Sequence, residues 1–202
     1  MTARTTMANL IATLRGMCNA GTADYTVSST AFWSDDQLQT ALDRYAVQLR
    51  DEPLKSFKFN NAGTVTWLDY QSSHRFFETT DGGTARFVVK DSLGNVQGTA
   101  GWSADYERGM VSFTANQGGT AYYLTGIFFD VYAAAADVWY QKAAHASEQI
   151  DFSTDNHSIK RSHVANMAFK MARKYEDMAT TIVFGNVSIA RGDMNVTQPV
   201  HR

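Results

Sequence analysis

The spacing of apolar positions changes twice along the chain. From Met7, the positions Leu10, Ile11, Leu14, Met17 and Cys18 recur at helical intervals, and NAGTADYTVSST then supplies a loop. A second helix opens at Ser34, which forms a capping box with Gln37, while Asp35 and Asp36 favour the positive end of the helix dipole. Leu38, Ala41, Leu42, Tyr45 and Leu49 form its apolar face, and Pro53 closes it. From Leu54 to Leu124 the helical period gives way to short alternating runs: SFKFN, TVTWLDY, ARFVVKD, MVSFTA and AYYLTG. These read as antiparallel strands, and the separators NNAG, DGG, SLGN, ERG and NQGG suit tight turns because Asn, Asp and Gly tolerate positive φ.

After Thr125 the helical period returns. Phe128, Tyr132, Ala135, Trp139, Ala143, Ala146 and Ile150 follow it closely, with Asp130, Asp137, Gln141, Ala144 and Glu148 on a separate, mostly polar stripe. A loop, DFSTDNHS, leads to a last helix whose inner face is Val164, Met167, Ala168, Met171, Tyr175 and Met178. Its other side carries Lys160, Arg161, Lys170, Arg173 and Lys174. The closing segment has β-branched residues in partial alternation, two glycines and no helical stripe. Together these elements predict an α+β chain built on an antiparallel α-helical bundle of about four helices, with an inserted antiparallel β module and an extended C-terminal tail. The bounds are 1–53 for the N-terminal helices, 54–124 for the β-rich module, 125–180 for the long C-terminal helices and 181–202 for the tail.

Composition adds exclusions. The chain has 202 residues, 44% hydrophobic, so it can bury a sizeable core without staples. Its 18 basic and 20 acidic residues leave a formal charge of −2, so any contact with nucleic acid has to be local. A single cysteine excludes an internal disulfide, and Cys18 on a helical apolar face reads as a small buried hydrophobe. Arg15 interrupts the early apolar run and no stretch is long enough for a membrane span, so no signal peptide and no membrane contact are expected, with synthesis in a reducing cytosol.

Candidate chemistry is sparse. The histidines His74, His145, His157, His163 and His201 do not show the helical i, i+4 spacing of a zinc site, so no metal and no cofactor are expected. Signatures of a serine nucleophile elbow, a phosphate loop and a dinucleotide turn are missing. Asp69 and Glu78 could meet across a hairpin as a carboxylate pair, although most such pairs are solvated charge. The RGD tripeptide at Arg191 to Asp193 carries no weight at three residues. The basic stripe of the last helix reads either as a solvated face balanced by Glu176 and Asp177, or as a positive surface for a polyanion such as packaged DNA or for an acidic partner.

The order of segments says more than any of these sites. WSDDQLQTALDR early in the chain is followed by a glycine-rich β region ending in YYLTG, then IFFDVYAAAADVWYQKAA and DFSTDNHSIKRSHVANMAFKMARKYE. This order resembles the head-tail adaptor (connector) proteins of tailed bacteriophages, over roughly residues 5–180. The matching positions are Leu124, Thr125, Gly126, Phe129, Asp130, Val131 and Tyr132 to Trp139, then Asp151 to Ser153, Asp155 and Ser158 to Ser162, with His163 in place of the family's polar amide. The resemblance implies a non-catalytic virion protein forming a homo-oligomeric ring, expected to be a dodecamer, at the neck of the particle. It implies docking on the portal protein at the head-tail junction, joining the DNA-filled capsid to the tail, a stopper or another neck protein, after assembly in the host cytoplasm.

Within that frame the tail residues Ile182, Val183, Phe184, Val187, Ile189, Met194 and Val196 are the portal-binding candidates, since an extended arm can add to another protein's sheet. The same tail can instead fold back on its own helices. Ala133, Ala134 and Asp137 are candidates for the subunit interface, because an alanine run makes a rigid helix that neighbours approach closely; for Ala133 and Ala134, helix stabilisation alone is the other reading. Ala135 lies on the apolar stripe and is expected in the core. The aromatics Trp67, Tyr70, Trp102 and Tyr106 of the β module are either core or a binding surface. The second of these underlies an alternative function, a β-rich carbohydrate-binding or hydrolytic module of a phage particle.

Overall fold

The computed structural model describes residues 3–148, 152–154, 157–159 and 162–179, with side chains for 3–60, 62–148 and 163–179. A single turn of 3-10 helix at Thr5–Met7 leads into α1 (Ala8–Cys18), then the hairpin β1 (Tyr25–Val27) and β2 (Thr30–Phe32), and α2 (Asp35–Asp43). A long strand β3 (Ala46–Pro53) is followed by β4 (Lys55–Ser56), β5 (Phe59–Asn61), β6 (Thr64–Thr66) and β7 (Asp69–Gln71). Next come β8 (Thr80–Asp81), β9 (Thr84–Ala85), β10 (Phe87–Asp91), β11 (Trp102–Asp105) and β12 (Met110–Phe113). The chain then runs through β13 (Tyr122–Phe129), α3 (Val131–Ser147), the hairpin β14 (Phe152–Thr154) and β15 (His157–Ile159), and α4 (Ser162–Met178).

Among the described residues the strands make one sheet in the order β10-β13-β3, one in the order β11-β12-β7-β4, and four hairpins, all antiparallel. The expected helical bundle with a β insertion is therefore corrected: the described residues form a mixed α/β fold with four helices and several small antiparallel sheets. The helix predicted through Leu49 stops at Asp43, although its Ser34–Gln37 capping box forms as expected. Beyond Tyr45 the chain has alternating burial and pairs with β13, so ladder bonding overrides the helical propensity of AVQLRDE. Likewise Phe128, expected on a helix, lies at the end of a strand.

Two cores organise the fold. The first joins Leu10, Ile11, Leu14 and Cys18 of α1 to Leu38 and Leu42 of α2 and to Val131, Ala134, Ala135 and Val138 of α3. The second lies between the two larger sheets and contains Tyr70, Phe87, Val89, Trp102, Val111, Phe113, Tyr122 and Leu124. Each such large side chain contributes on the order of 1.5–3 kcal/mol by leaving water. Strand periodicity connects the cores, because successive side chains of β13 point to opposite faces. Phe128 enters the sheet core while Phe129 enters the helix core, and the neighbouring pair Phe77 and Phe76 does the same. Main-chain bonds lock these segments together: Phe129 N–H donates to Phe76 O at 3.0 Å and Glu78 N–H to Ile127 O at 3.0 Å.

Gly126 sits where β13 passes closest to the chain entering β10. A Cβ there would lie 2.8 Å from the Arg86 carbonyl, which accepts from Ile127 N–H at 3.1 Å, so only glycine fits without a shift. Just upstream, Thr125 lies at a β-bulge, and its hydroxyl accepts from Asp51 N–H at 3.1 Å. At the end of the strand Asp130 caps α3, its carboxylate accepting from Ala133 N–H at 2.9 Å. The LTG…D run thus has a separate mechanical reason at each polar or small position.

Candidate interaction surface on the last two helices

The alanine run explains how α3 is held. Ala134 and Ala135 are fully buried in the first core, where the Cys18 thiol of α1 lies 3.8 Å from the Ala135 carbonyl. Larger side chains would push α1 away. Burial pushes the Cys18 thiol up to about 12, consistent with an inert packing residue. Ala136, Ala143 and Ala146 are buried outside that core, on the side of α3 turned to α4, and α4 buries Ala165, Ala168 and Ala172 in return. Small residues on both helices allow a close approach.

The end of α1 is tied to both long helices. Trp139 Nε1–H donates to Met17 O at 3.2 Å, Tyr175 Oη–H donates to the same carbonyl at 3.0 Å, and Lys142 Nζ donates to Cys18 O and Asn19 O at 2.9 and 3.1 Å. These are the carbonyls a helix terminus leaves without intrahelical partners, and a cation there also complements the dipole. Lys142 in addition pairs with Asp24 at 2.5 Å and lies over the Trp139 ring. The β1–β2 hairpin is thereby docked on α3, with Tyr25 stacked on His145 at 4.0 Å and on Phe32 at 5.0 Å.

Beside this junction is a groove of about 470 Å³, lined by Tyr25, Trp139, His145, Val164, Met167 and Met171 among others. Its α4 side continues as an apolar flank. Val164 is 59% exposed, Met167 61% and Met178 48%, although the sequence pattern places all three on the inner face. The reason is the Ala165–Ala168–Ala172 stripe: these small residues take the helix contact and rotate the larger ones outward. That three-four spacing of alanines is the signal in the sequence that could have revealed the groove. Asp24, Tyr25 and Lys142 carried no such signal.

The other expected site residues fall as follows. Ala134 is core, not a surface residue, and Ala133 is half-buried. Asp137 pairs with Arg44 at 2.8 Å within the chain, tying the end of α2 to α3. Lys170, Arg173 and Lys174 are exposed together on the side of α4 away from its buried alanines, whereas Lys160 and Arg161 lie outside the described residues. The tail candidates Ile182, Val183, Phe184, Val187, Ile189, Met194 and Val196 also lie outside them.

Asp69 and Glu78 are not brought together as a pair with shared partners. Asp69 accepts from the Ser112 hydroxyl at 2.6 Å, while Glu78 is buried and accepts from Arg4 Nε–H at 2.9 Å and from the Thr6 hydroxyl at 3.4 Å. Of the aromatics weighed as a binding surface, Tyr70 and Trp102 are buried in the sheet core, and Trp67 and Tyr106 are half-buried. One polar cluster was not anticipated: the Ser72 and Ser73 hydroxyls both donate to Glu52, and His74 N–H donates to Ser72 Oγ at 3.0 Å. The His74 ring stacks on Phe128, with Nε2 3.9 Å from Glu52. With both hydroxyls donating to the carboxylate, this is a turn anchor and not the serine–histidine relay that nucleophilic catalysis needs. Among the described residues no group of three or more metal-ligating side chains occurs, and no helix is long and apolar enough to cross a membrane. No protein-family model, no curated protein and no solved structure matches the chain.

Proposed function

We propose that this chain is a non-catalytic head-tail adaptor of a tailed bacteriophage, a subunit of a ring that docks on the portal and joins the capsid to the tail or stopper. The observation that carries this reading is where the segments resembling that family fall. Leu124, Thr125 and Gly126 form the part of β13 that bulges against β3 and passes close to the Arg86 carbonyl, Asp130 caps α3, and Ala134 and Ala135 let α1 approach it. These are framework roles, as a structural subunit needs. The helix pair α3–α4 also presents a long surface with an apolar flank on one side and Lys170, Arg173 and Lys174 on another, suited to contacts with neighbours in an assembly. In this reading the tail from Ile182 to Val196 grips the portal, and the ring is dodecameric.

The test is assembly with the portal protein of the same phage. Size-exclusion chromatography and electron microscopy of the mixture should show a ring of this chain seated on the portal, and removal of residues 182–202 should abolish docking while leaving the helical circular-dichroism signal. Absence of a ring, together with binding on a glycan array, would overturn the adaptor in favour of a carbohydrate-binding module.

A further inference from the structure

Val164, Met167 and Met178 give α4 an exposed apolar flank that leads into the groove beside Trp139. Monomeric proteins seldom leave such strips open. Met178 ends α4, and the chain continues from Thr180 to Arg202, beginning with a stretch from Thr180 to Ala190 that contains no charged residue. We propose that in the free subunit residues 182–189 of the same chain lie along this flank, antiparallel to α4, with Val183, Val187 and Ile189 against Met178, Met167 and Val164.

The lengths agree. From Val164 to Met178 the helix rises about 21 Å, at about 1.5 Å per residue. Eight extended residues span about 26 Å, at about 3.3 Å each. Ala179, Thr180 and Thr181 are left to reverse the direction. In the alternating geometry of an extended chain the odd positions 183, 187 and 189 share one side, and all are β-branched and apolar. An uncharged segment suits the flank itself and makes no demand on Lys170 and Lys174 nearby, which an acidic partner would seek. The tether favours the chain's own segment over that of a second copy, because a short linker holds it at an effective concentration in the millimolar range. The contact stands on α4 and the tail alone. Its role rests on the adaptor reading: docking on the portal removes the same residues from α4 and uncovers the methionine flank only in a subunit already in place.

The experiment uses the full chain without portal, so that its outcome is separate from that of the ring assay. Met167→Cys combined with Val187→Cys, oxidised mildly in dilute solution, should give an intrachain disulfide, read by peptide mass and by mobility on a non-reducing gel. Cys18 is buried and does not compete. Met167→Cys with Val200→Cys, on the same tether, should form its bond at least about ten-fold more slowly, since that rate difference reports a population shift of about 1.4 kcal/mol. Equal rates overturn the proposal. So does a disulfide between copies, which assigns the flank to a second subunit, and so does the absence of any disulfide, which leaves it to an outside partner. A measurement on unsubstituted side chains guards against misfolding: peroxide should oxidise Met167 and Met178 several-fold faster in the chain ending at Thr180 than in the full chain, and unchanged rates again overturn it.

Discussion

Glu78 shows how far a single side chain can tie this fold to its surroundings. It is 2% exposed, and its partner Arg4 reaches on to Asp43 at 2.7 Å, so one guanidinium clips the N-terminal segment to α2 and to the segment between the sheets. Burial pushes the Glu78 carboxyl above its ordinary value of 4.5, and the charge of Arg4 only partly offsets this. The folded state therefore holds the proton more tightly than the unfolded chain. Its contribution to stability is complete below the ordinary value and is lost as pH rises through the interval up to the raised one. The urea midpoint should fall with rising pH across that interval, and Glu78→Gln should remove this slope; an identical slope in the variant would locate the effect elsewhere. The carboxylate was visible in the sequence, but its partner was not, because Arg4 and Glu78 are joined only by the three-dimensional path of the chain.

At the level of elements, the local signals in the sequence survive where tertiary pairing agrees with them. The Ser34–Gln37 box, the turn separators of the β region and the start of α1 all form as read. The reading fails where a partner strand outweighs propensity. AVQLRDE has good helix formers, yet pairs with β13, and Phe128 and Phe129 keep a strand's alternation up to the Asp130 cap. The β1–β2 hairpin was hidden because its three-residue strands are too short to show a period, and β11 because a single alternation around Trp102 does not stand out from loop. The same scale decides the alanine run. Ala134→Leu places extra methylenes in the core that joins α1 to α3 and should cost about 1–3 kcal/mol in urea unfolding. Loss of assembly with unchanged stability would return Ala134 to the interface.

Across the whole molecule, the two cores meet at Phe76–Phe77 and Phe128–Phe129, so the sheet region is built into the helices and does not hang from them as an insertion. The exposed cations of α4 face outward from this body, and the polyanion reading of that face predicts a salt effect. Replacing Lys170, Arg173 and Lys174 together with Ala should reduce the slope of log affinity for duplex DNA against log salt by about 2–3, at roughly 0.9 for each phosphate that is no longer neutralised. An unchanged slope would make the face simply solvated. A last consequence follows from the Met17 carbonyl, which accepts hydrogen bonds from Trp139 and Tyr175 across sequence separations of 122 and 158 residues. On the ribosome, at about 5–20 residues per second, roughly 8–30 s separate the addition of Met17 from that of Tyr175. Until Trp139, Lys142 and Tyr175 have been added, the carbonyls of Met17 and Cys18 lack these partners. Helix α1 is thus finished late, because translation must reach Tyr175 before every partner of its C-terminal end is present.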